Sequence, residues 1–315
     1  MTGAGAGPAL ALPSRWDLLA QARETLARAG VDSPGSDAEA LLLHALAIPR
    51  ARLWSDRATP VEDEEAARFA RLLQARAGRV PLQHLLGEMP FHAAELEIEP
   101  GVFIPRPETE GLVEVVLEEL GQDLDDAASK GTLVDLGTGT GAIPIALLLS
   151  LPEGWTGLAI DRSEKAVALA RRNARRNGVE GRLRLEVADF RQAPPALVTS
   201  SAGVMAPALV AAPADVLVCN PPYIPTHAIA GLMPEVKDHD PREALDGGPD
   251  GLDAFRAIAG NLGAWVRRGG ILALEIGADQ ADPCMVLFRP LLVGARVVPD
   301  LAGLPRILTG RRGTR

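Results

Sequence analysis

The chain has 315 residues, 47% hydrophobic and 23% charged, a globular balance with room for two domains; only 3% are aromatic, which leaves the core to Leu, Val, Ile and Ala. A net charge of −9 weighs against a broad phosphate-gripping surface. Two cysteines, Cys219 and Cys284, exclude a disulfide framework and fit a reducing cytoplasm, and five scattered histidines lack metal-ligand spacing.

Residues 1–13 are rich in Gly and Ala and read as a disordered lead-in without the basic and long apolar regions of a secretory signal. No apolar run reaches membrane-spanning length. Residues 14–86 read as a helical bundle. Trp16, Leu19, Ala20, Arg23 and Leu26 keep helical spacing, Ser36-Asp37 offers a cap for a helix over 38–46, and 62–77 forms a third amphipathic stretch. Such a bundle carries no chemistry of its own and is expected to dock a substrate or partner. Over 87–104, Phe91, Leu96, Ile98, Val102, Phe103 and Ile104 are broken by Pro90, Pro100 and Gly101, the pattern of a β-hairpin linking two domains.

From residue 105 to 315 helices and strands alternate. Short β-prone runs fall at 132–136, 157–161, 184–187, 215–219 and 271–276, and helices at 142–149, 163–177 and 252–266. In the last helix Phe255, Ile258, Leu262 and Trp265 share one face. Apolar strands alternating with helices predict an α/β fold, a largely parallel sheet covered on both faces. The runs 296–298 and 306–309 are too close for a crossover, so they predict a terminal antiparallel hairpin. The stretch 191–213, rich in Ala, Pro and Ser without a clear period, reads as a mobile surface excursion.

Two loops carry the chemistry. Asp135-Leu136-Gly137-Thr138-Gly139-Thr140-Gly141 leaves the first strand of this region and opens a helix. Its glycines let the backbone pass close to a ligand, and the helix start offers unpaired N–H groups. The next strand ends at Asp161, placed to accept ribose hydroxyls, and a further one ends in Ala188-Asp189-Phe190, an acid for an exocyclic amine and a ring to stack on a base. A dinucleotide site would fit the glycine loop nearly as well, although it departs from G-x-G-x-x-G. The second loop, Asn220-Pro221-Pro222-Tyr223, follows the run 216–219 and holds the chain's only tyrosine. The lone pair of a planar amide or aromatic amine is delocalised, so such a nitrogen is a poor nucleophile. Two acceptors on its N–H bonds, the Asn220 side-chain carbonyl and the Pro221 backbone carbonyl, would aim it out of its plane, and the Tyr223 face would receive the planar group. Together the loops point to methyl transfer from S-adenosyl-L-methionine to nitrogen. Cys219 has no histidine nearby in the chain and reads as a core residue.

With both loops in place the chain resembles the protein-(glutamine-N5) methyltransferases of peptide-chain release factors. The resemblance rests on the Asn220 to Tyr223 loop and four further stretches: 79–87, 103–110, 235–241 with 244–248, and 300–306. It implies a Rossmann-like, seven-stranded methyltransferase sheet with an N-terminal helical domain. It implies cofactor contacts from Gly137, Thr138, Gly139, Thr140, Gly141, Asp161 and Phe190, and a substrate glutamine held by Asn220, Pro221, Pro222 and Tyr223, with Asn220 shared between the two ligands. The implied partner is a class I release factor, met through its Gly-Gly-Gln loop, with neither membrane nor nucleic acid engaged directly. Two other readings compete. An adenine or guanine N-methyltransferase would need a basic groove and a flipped base, which the acidic total disfavours. A non-catalytic adaptor would have no need of both loops.

Overall fold

The computed structural model describes residues 12–121, 130–192 and 213–313. The disorder expected over 1–13 and the excursion expected over 191–213 lie, at 1–11 and 193–212, outside the described residues. The chain divides into two compact units, residues 1–87 and 88–315.

The first unit is helical: α1 (Arg15–Arg28), α2 (Pro34–Leu46), α3 (Arg50–Ser55), α4 (Asp63–Ala77) and α5 (Leu82–Leu86). Ser14 and Asp17 close a capping box on α1. The buried stripe of α1 is Leu19, Ala22 and Leu26 rather than one through Ala20, and Trp16 is 38% exposed, with Arg23 and Arg57 over its ring. Helix α2 starts earlier than the Ser36-Asp37 cap predicts. Pro34, whose fixed φ suits a first turn, begins it, and the Asp37 carboxylate turns inward to pair with Arg76 Nε at 2.7 Å. Leu41, Leu42, Leu53 and Phe69 fill the space between helices.

The second unit opens with an antiparallel hairpin, β1 (Glu88–Phe91) and β2 (Ala94–Glu97). A 3₁₀ turn, Pro107–Thr109, leads into α6 (Glu110–Leu120). Then come β3 (Gly131–Leu136), α7 (Ala142–Ser150), β4 (Trp155–Asp161), α8 (Glu164–Arg176), β5 (Leu183–Val187) and β6 (Ala214–Cys219). Two short helices, α9 (Pro234–Lys237) and α10 (Arg242–Leu245), precede α11 (Asp253–Trp265), β7 (Val266–Glu275), α12 (Ala281–Phe288), β8 (Leu292–Pro299) and β9 (Pro305–Arg312). The strands form one seven-stranded sheet in the order β5-β4-β3-β6-β7-β9-β8. The first five are parallel, and β9 runs antiparallel to both β7 and β8, the hairpin predicted at the C-terminus.

The period-2 geometry of strands divides the core cleanly. Leu133, Val216, Val218, Ile271 and Ala273 point to one face, beneath α6, α7 and α8. Val134, Leu217, Cys219, Leu272 and Leu274 point to the other, where Phe255, Ile258, Leu262 and Trp265 of α11 meet Cys284 and Phe288 of α12. The β1–β2 hairpin is sewn to α8. Asn173 Oδ1 accepts from Glu97 N at 2.7 Å, Asn177 Oδ1 accepts from Glu95 N at 3.0 Å, and Arg172 reaches Glu97 and Glu99 at 2.9 and 2.6 Å. Phe91, Ala94, Leu96 and Ile98 join the core on that side, so the hairpin packs as part of the second unit. From β3 the chain winds outward through β4 to β5, then returns to β6 on the opposite side of β3. The carboxyl ends of β3 and β6 therefore flank a switch point, where an open α/β sheet leaves a crevice.

Candidate active site

The glycine loop is tied to the end of β4. Gly137 N and Thr138 N donate to Ile160 O at 2.8 and 2.9 Å, and Gly139 N donates to Asp161 Oδ2 at 2.9 Å. Asp161 Oδ1 accepts from Ser163 N at 2.8 Å, ahead of the Ser163 cap on α8. Each carboxylate oxygen thus spends one lone pair on the backbone and keeps capacity for a second donor. Burial raises the Asp161 pKa despite these bonds. Gly137 and Gly139 adopt φ of +75° and +56°, a region that glycine enters without strain. Gly141 does not line the crevice. It starts α7 at a point where an added Cβ would stand 3.0 Å from Ile145 and 3.1 Å from Ala170, so its bareness serves the approach of α7 to α8.

Two buried polar groups beside this loop have no hydrogen-bond partner among the described residues: both oxygens of Asp135 and the Thr138 hydroxyl. Burial pushes the Asp135 carboxyl up to about 7, with the nearby Thr138 hydroxyl opposing. On the far side Ala188 N donates to Asp161 O at 2.9 Å. Phe190 packs with Val134 and Leu136, a ring carbon 3.7 Å from where a Gly137 side chain would begin. Asp189 accepts from Arg191 N and Nε at 3.0 and 3.1 Å. Burial raises its pKa, but the Arg191 bonds outweigh that and hold it below the usual carboxylate range.

The Asn-Pro-Pro-Tyr loop is held from several directions. Asn220 Nδ2 donates to Thr109 Oγ1 at 3.2 Å, and Thr109 Oγ1 donates to Glu275 Oε2 at 2.6 Å. The Tyr223 hydroxyl donates to Glu275 Oε1 at 3.2 Å. From behind, Gln280 Nε2 donates to Tyr223 O at 2.9 Å. Gly247 and Gly251 allow the following segment to lie against the loop's carbonyls; a Cβ at Gly251 would fall 2.3 Å from Tyr223 O. Asp240, its side chain fully buried, accepts from Arg106 and from Ile104 N, joining the stretches 103–110 and 235–241 that the sequence shows far apart. Among the described residues no donor is bonded to Asn220 Oδ1 or Pro221 O.

Cys219 is buried, its thiol donating to Leu136 O at 2.7 Å. Burial and the carboxylates of Asp135, Asp161 and Glu275 push it well above the ordinary thiol value, which removes it as a nucleophile. The site features that sequence reasoning missed are Glu275, the Gln280 brace and the Thr109 bridge between Asn220 and Glu275. Glu275 left one signal: it is a lone acid in the apolar run 271–276, and a buried acid requires partners.

Gly137, Thr138, Gly139, Thr140, Asp161, Phe190, Asn220, Pro221, Pro222 and Tyr223 all line one cavity of about 320 Å³, together with Arg106 and Thr109. A seven-stranded sheet with a reversed last strand, opening at its switch point onto this cavity, is the architecture of an S-adenosylmethionine-dependent methyltransferase, and a methyltransferase-domain family model matches residues 127–242. A second family model, the PrmC N-terminal domain, matches residues 17–87. The release factor glutamine methyltransferase of Cereibacter sphaeroides is 40% identical over 296 residues, covering 94% of this chain and 97% of that protein. That of Moorella thermoacetica is 40% identical over 298 residues, covering 93% and 97%. The chain belongs to the release factor glutamine methyltransferase family. Among solved structures, a methyltransferase from Pyrococcus furiosus superposes with a TM-score of 0.46 at 17% identity, covering 79% of this chain and 99% of that one.

Proposed function

We propose that this enzyme transfers the methyl group of S-adenosylmethionine to the side-chain amide nitrogen of the glutamine in the Gly-Gly-Gln loop of peptide-chain release factors, in the cytoplasm. The observation that carries the reading is the shared cavity: the glycine loop and the Asn-Pro-Pro-Tyr loop form walls of one space. The residues present fit the cofactor. The unpaired Thr138 hydroxyl offers a polar partner to its amino-acid end, Asp161 has lone pairs left for ribose hydroxyls, and Phe190 lies flanking the loop for the base.

When bound, S-adenosylmethionine supplies a methyl group made electrophilic by the adjoining sulfonium. The protein's task is to present the nitrogen. Asn220 Oδ1 and the Pro221 carbonyl accept the two amide N–H bonds and turn the nitrogen lone pair away from its carbonyl. The paired prolines keep the elbow stiff, so little reorganisation accompanies reaction. Tyr223 lies under the planar amide. Residues 14–86 engage the body of the release factor, and 105–315 carry out the chemistry.

Asn220→Ala is expected to lower kcat by roughly 10²- to 10³-fold with near-normal affinity for S-adenosylhomocysteine. The measurement is labelled-methyl transfer to purified release factor, with the modified residue mapped by mass spectrometry and tRNA, rRNA and DNA as parallel substrates. Label on a nucleic acid, or full activity of the variant, would overturn the reading.

A further inference from the structure

We propose that Thr109 and Glu275 are positioning residues that lock the Asn220 amide in its productive orientation, an inference that rests on Asn220 being the acceptor for the substrate nitrogen. An asparagine amide has two ends of nearly equal shape and opposite hydrogen-bonding sense. Flipped, Asn220 would present N–H where the substrate needs an oxygen, and sterics alone would not prevent it.

A chain of bonds removes that freedom. Glu275 is 1% exposed, and an ionised carboxylate can only accept. Burial raises its pKa above the ordinary value, while the Thr109 hydroxyl, the Arg306 guanidinium and the Tyr223 hydroxyl favour the charged form, in which both oxygens accept. Thr109 commits its one hydroxyl proton to Oε2 at 2.6 Å. Thr109 Oγ1 then has only lone pairs to offer, so the Asn220 atom 3.2 Å away must be the donor nitrogen. The amide oxygen is thereby directed away from Thr109. Tyr223 commits its proton to the other oxygen of the same carboxylate at 3.2 Å. One side chain on β7 therefore governs both ends of the tetrapeptide.

Strand register explains how. The last paired residues of β6 and β7 are Cys219 and Leu274, so Asn220 and Glu275 are the next positions on neighbouring strands. Thr109 arrives from the 3₁₀ turn before α6, itself buried at 2% exposure. A buried acid is otherwise a liability in a sheet, and here each oxygen meets a hydroxyl.

The test compares Thr109→Val, Thr109→Ser, Glu275→Gln and Asn220→Ala, singly and as the Thr109→Val/Asn220→Ala pair. The readouts are kcat and KM on release factor, S-adenosylhomocysteine affinity by calorimetry, and thermal midpoint. Thr109→Val, close in shape and lacking the hydroxyl, should lose roughly ten- to a hundredfold in kcat. KM and cofactor affinity should stay within about twofold, and Thr109→Ser should recover most of the loss. Removing Thr109's hydroxyl should cost nothing further once Asn220 is Ala, because the threonine acts only through that amide. Glu275→Gln, which puts an N–H2 where an oxygen accepted, should show the same kcat-selective loss; if it fails to fold, the Thr109 pair decides. Undiminished kcat in Thr109→Val, or losses that multiply in the double variant, would overturn the inference. Should wild type methylate a different substrate in the panel, the release-factor reading fails, and the same ratios taken on that substrate still decide the positioning role. Should wild type methylate none of them, the acceptor role of Asn220 falls and this inference with it.

Discussion

Asp135 sits at the centre of the sheet with neither oxygen hydrogen-bonded among the described residues, a costly arrangement for a charged group. Its carboxyl stands at about 7 against an ordinary 3.8. The folded chain thus keeps a proton that the unfolded chain releases. For the cofactor-free protein this contribution to stability is fully present below 3.8 and is lost as pH rises through about 7. Asp135→Asn removes the titration. The variant should lack that decline and gain on wild type at mildly alkaline pH, by a few kcal/mol at most (~2–4). Thermal midpoints across this range check it; parallel curves for wild type and variant would refute the assignment.

The Asn-Pro-Pro-Tyr loop owes its shape to a segment that never enters the cavity's chemistry. Gln280 of α12's N-cap bonds Tyr223 O, and Gly251, at φ +76°, allows its own chain to lie against that carbonyl. Gly251→Ala adds both a close contact and strain in a left-handed conformation, so turnover should fall by roughly tenfold or more while cofactor affinity holds. Gly181→Ala, where a Cβ meets nothing within 4 Å, is the matched control, and steady-state kinetics with calorimetry reads both. The same elements show what a sequence can and cannot disclose. All seven strands of the sheet were legible because short apolar runs, such as Leu133-Val134 and Ile271 to Leu274, follow a local rule. The two loops were legible because their residues are contiguous. The union of Thr109 with Glu275 joins positions 166 apart, and that of Arg106 with Asp240 joins positions 134 apart, so only the folded topology reveals them. Asp37 was misread for a related reason: a capping pattern is local, while its partner Arg76 lies 39 residues away.

Over the whole molecule, the two units keep separate cores. Leu19, Leu41, Leu42 and Phe69 belong to one, and the sheet with its two helical layers forms the other. The hairpin, sewn to α8 by Asn173 and Asn177, stays with the sheet. Deleting residues 1–87 should therefore leave a folded unit that binds S-adenosylhomocysteine with near-normal affinity. Its activity on intact release factor should fall through a raised KM, the expected signature of lost uniform binding. Calorimetry and steady-state kinetics separate the two effects. An equal loss of cofactor affinity would mean that the helical unit supports the sheet rather than the substrate. Among the described residues no helix is long and apolar enough to cross a membrane.

A chain with a single tyrosine carries a built-in probe. Biosynthetic incorporation of 3-fluorotyrosine would give one ¹⁹F resonance, free of background, at the residue that closes the elbow. Burial and the neighbouring Glu275 raise the phenol's pKa above its ordinary value, so alkaline difference spectra should stay silent where exposed phenols ionise and respond only when that corner of the molecule opens.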